Sequence, residues 1–146
     1  MNETQSNEQI LKLFIVSDSI GETAQRMIHA TLTQFPDLHN VEIKKFPYIK
    51  DEEEFLNILN LAREQHAIVA TTLVSESFNA LGHQFAHEHD IPYVDYMSDL
   101  ISIIKKVTHS QPLMESGALR KLNDEYFKRI EAVSYTHLRA HETDSY

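Results

Sequence analysis

The sequence predicts an α/β fold: a parallel sheet of about four strands with helices on both faces. Three observations predict it. Short runs rich in Leu, Ile, Val and Phe alternate with stretches whose apolar residues recur at helical spacing. The apolar runs return about every 25–30 residues, the length of a strand, a crossover helix and two turns. Ala67-Ile68-Val69-Ala70-Thr71-Thr72-Leu73 keeps one unbroken apolar character up to its threonines, as a strand covered on both faces requires.

Residues 1–10 are polar and are expected to be disordered. Leu11-Lys12-Leu13-Phe14-Ile15-Val16 then reads as a central strand. A turn from Ser17 leads into a helix expected from about Glu22 to Phe35, with Ala24, Met27, Ile28, Leu32 and Phe35 along one face. Pro36-Asp37 ends it. Val41 to Phe46 alternates, which places this second strand nearer the sheet edge, and Pro47 closes it. Asp51-Glu52-Glu53-Glu54 is an acidic first turn that suits a helix dipole, followed by Phe55, Leu56, Leu59 and Ala62 as the buried side of a helix reaching about Gln65. After the third strand, Ser75 caps a helix that turns Phe78, Leu81 and Phe85 inward and ends near His89-Asp90. Ile91-Pro92-Tyr93-Val94 is a short fourth strand with Asp95 at its carboxyl end. From Ser98 an amphipathic helix carries Leu100, Ile101, Ile103, Ile104 and Val107. A loop from Gln111 to Gly117 and a charged amphipathic segment, Leu119 to Ala132 with Leu122, Tyr126, Phe127 and Ile130, complete the pattern. Such βα alternation calls for right-handed crossovers in a Rossmann- or flavodoxin-like arrangement.

Composition narrows the functional classes. The 146 residues, 42% hydrophobic, amount to one domain with a real core. No apolar run approaches the roughly 20 residues of a spanning helix, and the polar start lacks the basic and apolar regions of a signal peptide, so a cytoplasmic protein is expected. The absence of cysteine excludes a disulfide framework, a thiolate nucleophile and a cysteine-ligated zinc. A net charge of −9, with Lys44-Lys45 and Lys105-Lys106 as isolated basic pairs, speaks against a nucleic-acid partner.

Chemistry concentrates in Ser17-Asp18-Ser19-Ile20-Gly21-Glu22-Thr23-Ala24. It offers hydroxyls, a glycine able to take unusual backbone angles, and free N–H groups at a helix start, which together suit an anion. The plainer reading is that Ser19 caps the helix while Asp18 and Glu22 complement its dipole. Both stay open, because two acidic side chains disfavour a bare phosphate unless a cation or a basic residue joins them. Thr71, Thr72, Ser75 and Asp95 also fall at strand ends, where they form a candidate cleft edge. Threonines end the third strand where a phospho-acceptor site would want aspartate. His83, His87 and His89 read as solvated residues favoured near a helix C-terminus rather than as metal ligands. The sequence contains no His-Glu-x-x-His, Gly-x-Ser-x-Gly or Gly-x-x-x-x-Gly-Lys-Ser/Thr motif.

Val16 to Ala24, Thr72-Leu73-Val74, Ile91-Pro92-Tyr93-Val94-Asp95 and Leu122-Asn123-Asp124-Glu125-Tyr126-Phe127-Lys128-Arg129-Ile130-Glu131-Ala132 together resemble the bacterial pyruvate, phosphate dikinase regulatory proteins. That family is closely related to the phosphoenolpyruvate synthase regulators. The match runs in order over about Leu11 to Val133, with Ile20 in place of an expected threonine and Asn123 in place of aspartate. The missing hydroxyl at Ile20 weakens the turn as a phosphate cradle.

The resemblance implies a bifunctional serine/threonine kinase and phosphorylase. It would use ADP to phosphorylate and inactivate the dikinase at a threonine, and inorganic phosphate to remove that group as pyrophosphate. It implies ADP and phosphate as substrates, Mg²⁺ as the accompanying cation, and pyruvate, phosphate dikinase or phosphoenolpyruvate synthase as partner. A homodimer is a further state to test. It also implies a nucleotide loop beyond the Tyr-Phe-Lys-Arg-Ile-Glu-Ala block, so residues 11–133 would be an N-terminal α/β portion, inactive alone as a kinase. Ser17, Asp18, Ser19, Gly21 and Thr23 are then the phosphate- or target-facing turn, with Asp18 assisting a cation and no general base assigned. Residues 134–146 depart abruptly from the family pattern and read as a foreign, adapter-derived tail, so His137 and His141 are not taken as a metal pair. The rival reading is a non-enzymatic flavodoxin-like module that binds a phosphorylated ligand or docks a protein.

Overall fold

A computed structural model describes residues 9–112; the expectations for residues 1–8 and 113–146 lie outside the described residues. Among the described residues eight elements alternate: β1 (Leu11–Ser17), α1 (Glu22–Leu32), β2 (Val41–Phe46), α2 (Glu52–Gln65), β3 (Ile68–Thr72), α3 (Glu76–His89), β4 (Tyr93–Asp95) and α4 (Ser98–Thr108). The strands form one parallel sheet in the order β2-β1-β3-β4. The expected four-stranded α/β arrangement is therefore present, with β2 at an edge as its alternation implied.

Side-chain alternation along β1 divides the interior in two. Phe14 and Val16 point into one core with Phe55, Leu59, Val69 and Leu73, against which α2 and α3 pack. Leu13 and Ile15 point into the other with Ala24, Ile28 and Ala70, beneath α1. Burial on both faces makes the near-continuous apolar run of β1 necessary.

Local signals set the helix ends. Asp51 accepts the Glu54 N–H at 2.8 Å while the Glu54 carboxylate accepts the Lys50 N–H at 2.8 Å, a reciprocal cap on α2. Ser75 accepts the Phe78 N–H at 3.3 Å and caps α3. His66 and Asp90 adopt left-handed conformations that stop α2 and α3, and each is followed by a buried apolar residue, Ala67 or Ile91, whose N–H returns to the helix.

Two expectations change. The first helix ends at Leu32 rather than Phe35, and the N–H groups of Gln34 and Phe35 turn back to Thr31 and Leu32 in a tightened last turn. Met27 and Phe35 are 47% and 54% exposed, because only Ala24, Ile28 and Leu32 face the sheet. On α4 no residue is buried, and Leu100, Ile103, Ile104 and Val107 stand in the open.

Candidate functional site

The chain leaves β1 toward β2 on one side and returns to β3 on the other, so the loops after β1 and β3 diverge. In parallel sheets this switch point, at the carboxyl ends of the strands, is where a crevice opens for a ligand. Register brings the sequence-identified residues to that edge: Ser17 pairs with Thr72, and Thr71 with Asp95.

The turn after β1 is held from three directions. Ser17 is buried, and its hydroxyl accepts the Ser19 N–H at 3.0 Å. Asp18 Oδ2 accepts the Val74 N–H at 3.0 Å, tying the β1 loop to the β3 loop across the switch point. The carbonyls of Ser17 and Ser19 accept the N–H groups of Ile49 and Tyr48, which fold the loop after β2 against the turn. Tyr48 itself lies at φ 55° and is exposed.

Ser19 does not cap α1. The N-cap is Gly21 at φ 83°, with no side-chain cap, and Glu22 and Thr23 lie exposed in the first turn. A side chain at Gly21 would be strained by the positive φ, and its Cβ would meet Lys45 Cδ at 3.2 Å and Ile15 Cγ2 at 3.3 Å. The Lys45 stem therefore lies against Gly21, bringing a basic residue beside the acidic turn. The sequence reading counted Lys45 only within the isolated pair Lys44-Lys45; its place beside the turn follows from its register in β2, where it pairs with Ile15 on the α1 face.

The other candidate residues lie deeper. Thr71 is fully buried and Thr72 is nearly so, leaving half-buried Ser75 as the more open member of that edge. The Thr71 hydroxyl, Asn79 Oδ1 and the Tyr93 hydroxyl are buried without a hydrogen-bond partner among the described residues. Asn79 is oriented by donation from its Nδ2 to the Leu73 carbonyl at 2.7 Å. Burial raises the Tyr93 phenol far above its ordinary range, with the Asp95 charge adding to this and the neighbouring Thr71 hydroxyl opposing it, so Tyr93 stays protonated.

Asp95, its side chain only 3% exposed, organises the start of α4. Its Oδ1 accepts the N–H groups of Met97 and Ser98 at 2.9 and 3.0 Å, and its Oδ2 meets the Ser98 hydroxyl and His83 Nε2, the latter at 2.8 Å. Ser98 and His83 thus share one carboxylate oxygen, an anchor rather than a serine–histidine relay. Burial pushes the Asp95 carboxyl up, but hydrogen bonds from Ser98, Met97 and His83 outweigh it and hold the group below the usual carboxylate range. The folded state then binds the proton less readily than the unfolded chain. Its contribution to stability is complete above the unfolded carboxylate pKa and is lost as pH falls through the lowered folded value. Urea unfolding carried from neutral pH into acid should show a weaker acid-dependent loss in Asp95→Asn than in the parent; parallel curves would contradict this.

His87 is exposed, and the His89 ring packs on Phe85 at 4.3 Å between centroids. Among the described residues no three His, Cys, Asp or Glu side chains come together to hold a metal. No helix among them is long and apolar enough to cross a membrane.

Comparison with known proteins adds a family. Residues 13–141 match the model of the kinase/pyrophosphorylase family. A Staphylococcus haemolyticus protein named as pyruvate, phosphate dikinase regulatory protein 1 is 97% identical over 136 residues, 93% of this chain and 49% of the relative. A Staphylococcus epidermidis protein named as regulatory protein 2 is 83% identical over 132 residues, 90% of this chain and 48% of the relative. A Clostridioides difficile protein named as a regulatory protein of the same dikinase is 36% identical over 125 residues, 86% of this chain and 45% of the relative. The chain spans about half the length of the curated relatives it matches.

Proposed function

The chain belongs to the kinase/pyrophosphorylase family, and from that premise we propose that it is the N-terminal α/β part of a cytoplasmic, bifunctional regulator of pyruvate, phosphate dikinase. In one direction a threonine hydroxyl of the dikinase attacks the β-phosphorus of ADP. The phosphoryl group moves to the threonine oxygen, AMP leaves, and a proton is released. In the other direction an oxygen of inorganic phosphate attacks the phosphothreonine phosphorus; the new P–O–P bond gives pyrophosphate, the P–O bond to threonine breaks, and a proton from the attacking phosphate restores the threonine hydroxyl.

The observation that carries this reading is the turn Ser17 to Thr23 at the switch point, pinned by Asp18 to Val74 and flanked by Lys45. It supplies an uncapped helix start and hydroxyls to an anionic group. Phosphoryl transfer depends on positioning and charge neutralisation, which suits a rigid turn joined to two strands. Ser19, Thr23 and Lys45 are assigned to orient the anionic group or the target segment, and Asp18 to fix the turn. The sequence holds no phosphate loop of the Gly-x-x-x-x-Gly-Lys-Ser/Thr kind, so binding of ADP is assigned to the further half of the longer relatives, and this chain alone is inert as a kinase. Among the described residues no three acidic or histidine side chains converge, and one carboxylate oxygen of Asp18 accepts the Val74 N–H.

The test uses the full-length S. haemolyticus relative with purified dikinase. ADP should place phosphate on a dikinase threonine, seen by mass spectrometry, with loss of dikinase activity. Added phosphate should reverse both and release one pyrophosphate per site, and the 146-residue chain should do neither. Failure of ADP to label threonine, or removal without pyrophosphate, contradicts the proposal.

A further inference from the structure

The two faces of the sheet are covered unequally. Helices α2 and α3 pack on one, whereas among the described residues α1 is the helix packed on the other. Beside α1 this leaves an apolar groove of about 330 Å³ over β1, β3 and β4, lined by Leu13, Ile28, Leu32, Ala70, Val94 and Tyr96 among others. Among the described residues no charged side chain lines it. Its rim is also apolar: Phe35, Leu38 and Val94 are 54%, 46% and 40% exposed. A parallel sheet is ordinarily covered on both faces, and a contiguous apolar depression of this kind marks a surface that something occupies.

The lengths of the relatives indicate the occupant. The S. haemolyticus relative shares 136 residues with this chain at 97% identity, and these are 49% of its length, so it carries this groove together with about as much chain again. We propose that the groove seats the apolar side of an amphipathic helix from that additional half, so that the two halves share one core across the sheet. The groove lies between α1 and β4, and helix-on-sheet packing completes a layered α/β domain. The inference stands on the groove and the relatives' length, and does not depend on phosphoryl chemistry.

The absence of cysteine from this chain makes the test direct. Val94→Cys is introduced into the 146-residue chain and at the corresponding position of the full-length relative, and native maleimide labelling is followed by peptide mapping. Val94 lines the groove while remaining 40% exposed, so the substitution is near-isosteric and accessible. Position 94 is expected to label at least about tenfold more slowly in the full-length protein. A control, Glu64→Cys at an exposed position of α2, is expected to label alike in both. Equal rates at position 94 overturn the proposal. So does slow labelling already present in the short chain, and light scattering that then shows a dimer would assign the groove to a second copy.

Discussion

Replacing Phe55 by alanine is expected to remove about 3–5 kcal/mol of folding stability, the usual loss when a wholly buried phenyl ring leaves a cavity. Phe55 is 0% exposed and belongs to the core shared with Phe14, Val16, Leu59 and Leu73. It lies in the first turn of α2, yet its ring meets Phe78 of α3 edge-on at 6.0 Å, and its Cζ lies beside Gly82. One ring therefore joins both helices to the sheet, and neighbours fixed by three elements cannot close the gap. A small domain has about 5–15 kcal/mol in total, so this one substitution removes a large share of it. Urea unfolding gives the answer; a loss under about 1.5 kcal/mol would mean that the site collapses freely, contrary to this packing.

Gly82→Ala should also destabilise, by about 1–3 kcal/mol, although alanine in a helix interior ordinarily gains up to about 1 kcal/mol over glycine. A Cβ at position 82 would lie 2.0 Å from the Tyr93 hydroxyl oxygen, 2.8 Å from Tyr93 Cζ and 3.0 Å from Phe55 Cζ. The missing side chain is what lets α3 lie directly on β4. Tyr93→Phe removes the nearest of those atoms and should recover part of the loss in the double variant. Alone it should cost no more than about 1 kcal/mol, because the hydroxyl it deletes makes no hydrogen bond of ordinary geometry and has only the neighbouring Thr71 hydroxyl beside it. A stabilising Gly82→Ala, or the absence of any rescue, would contradict the α3–β4 approach.

The parallel sheet was legible because β1 and β3 announce burial on both faces through near-continuous apolar runs, and β2 announces an edge by alternating. Periodicity told which side of a helix is apolar, but not whether anything covers it. Hence Met27 and Phe35 read as core and are half exposed, and the stripe of α4 faces outward. The cap of α1 misled for a related reason. Ser19 is the better capping residue type, but the backbone turns at Gly21, where a left-handed conformation and the stem of Lys45 both demand a missing side chain. The long-range bonds that join the parts of the candidate site have no local signal. Asp18 and Val74 are 56 residues apart, and His83 and Asp95, read separately as a solvated histidine and a strand end, meet only once α3 lies over β4.

The central claim is that the switch-point turn takes part in phosphoryl transfer, and it is tested most directly by Asp18→Asn and Ser19→Ala in the full-length S. haemolyticus relative. Asparagine keeps an oxygen for the Val74 N–H while removing the charge, so the turn should remain folded. Both variants are expected to keep the parent unfolding temperature; Ser19→Ala should lose at least about tenfold in both ADP-dependent phosphorylation and phosphate-dependent removal, whereas Asp18→Asn, which preserves the tie to Val74, should stay close to the parent rates. Unchanged rates in both directions for Ser19→Ala would contradict the claim and leave the turn with a structural role alone.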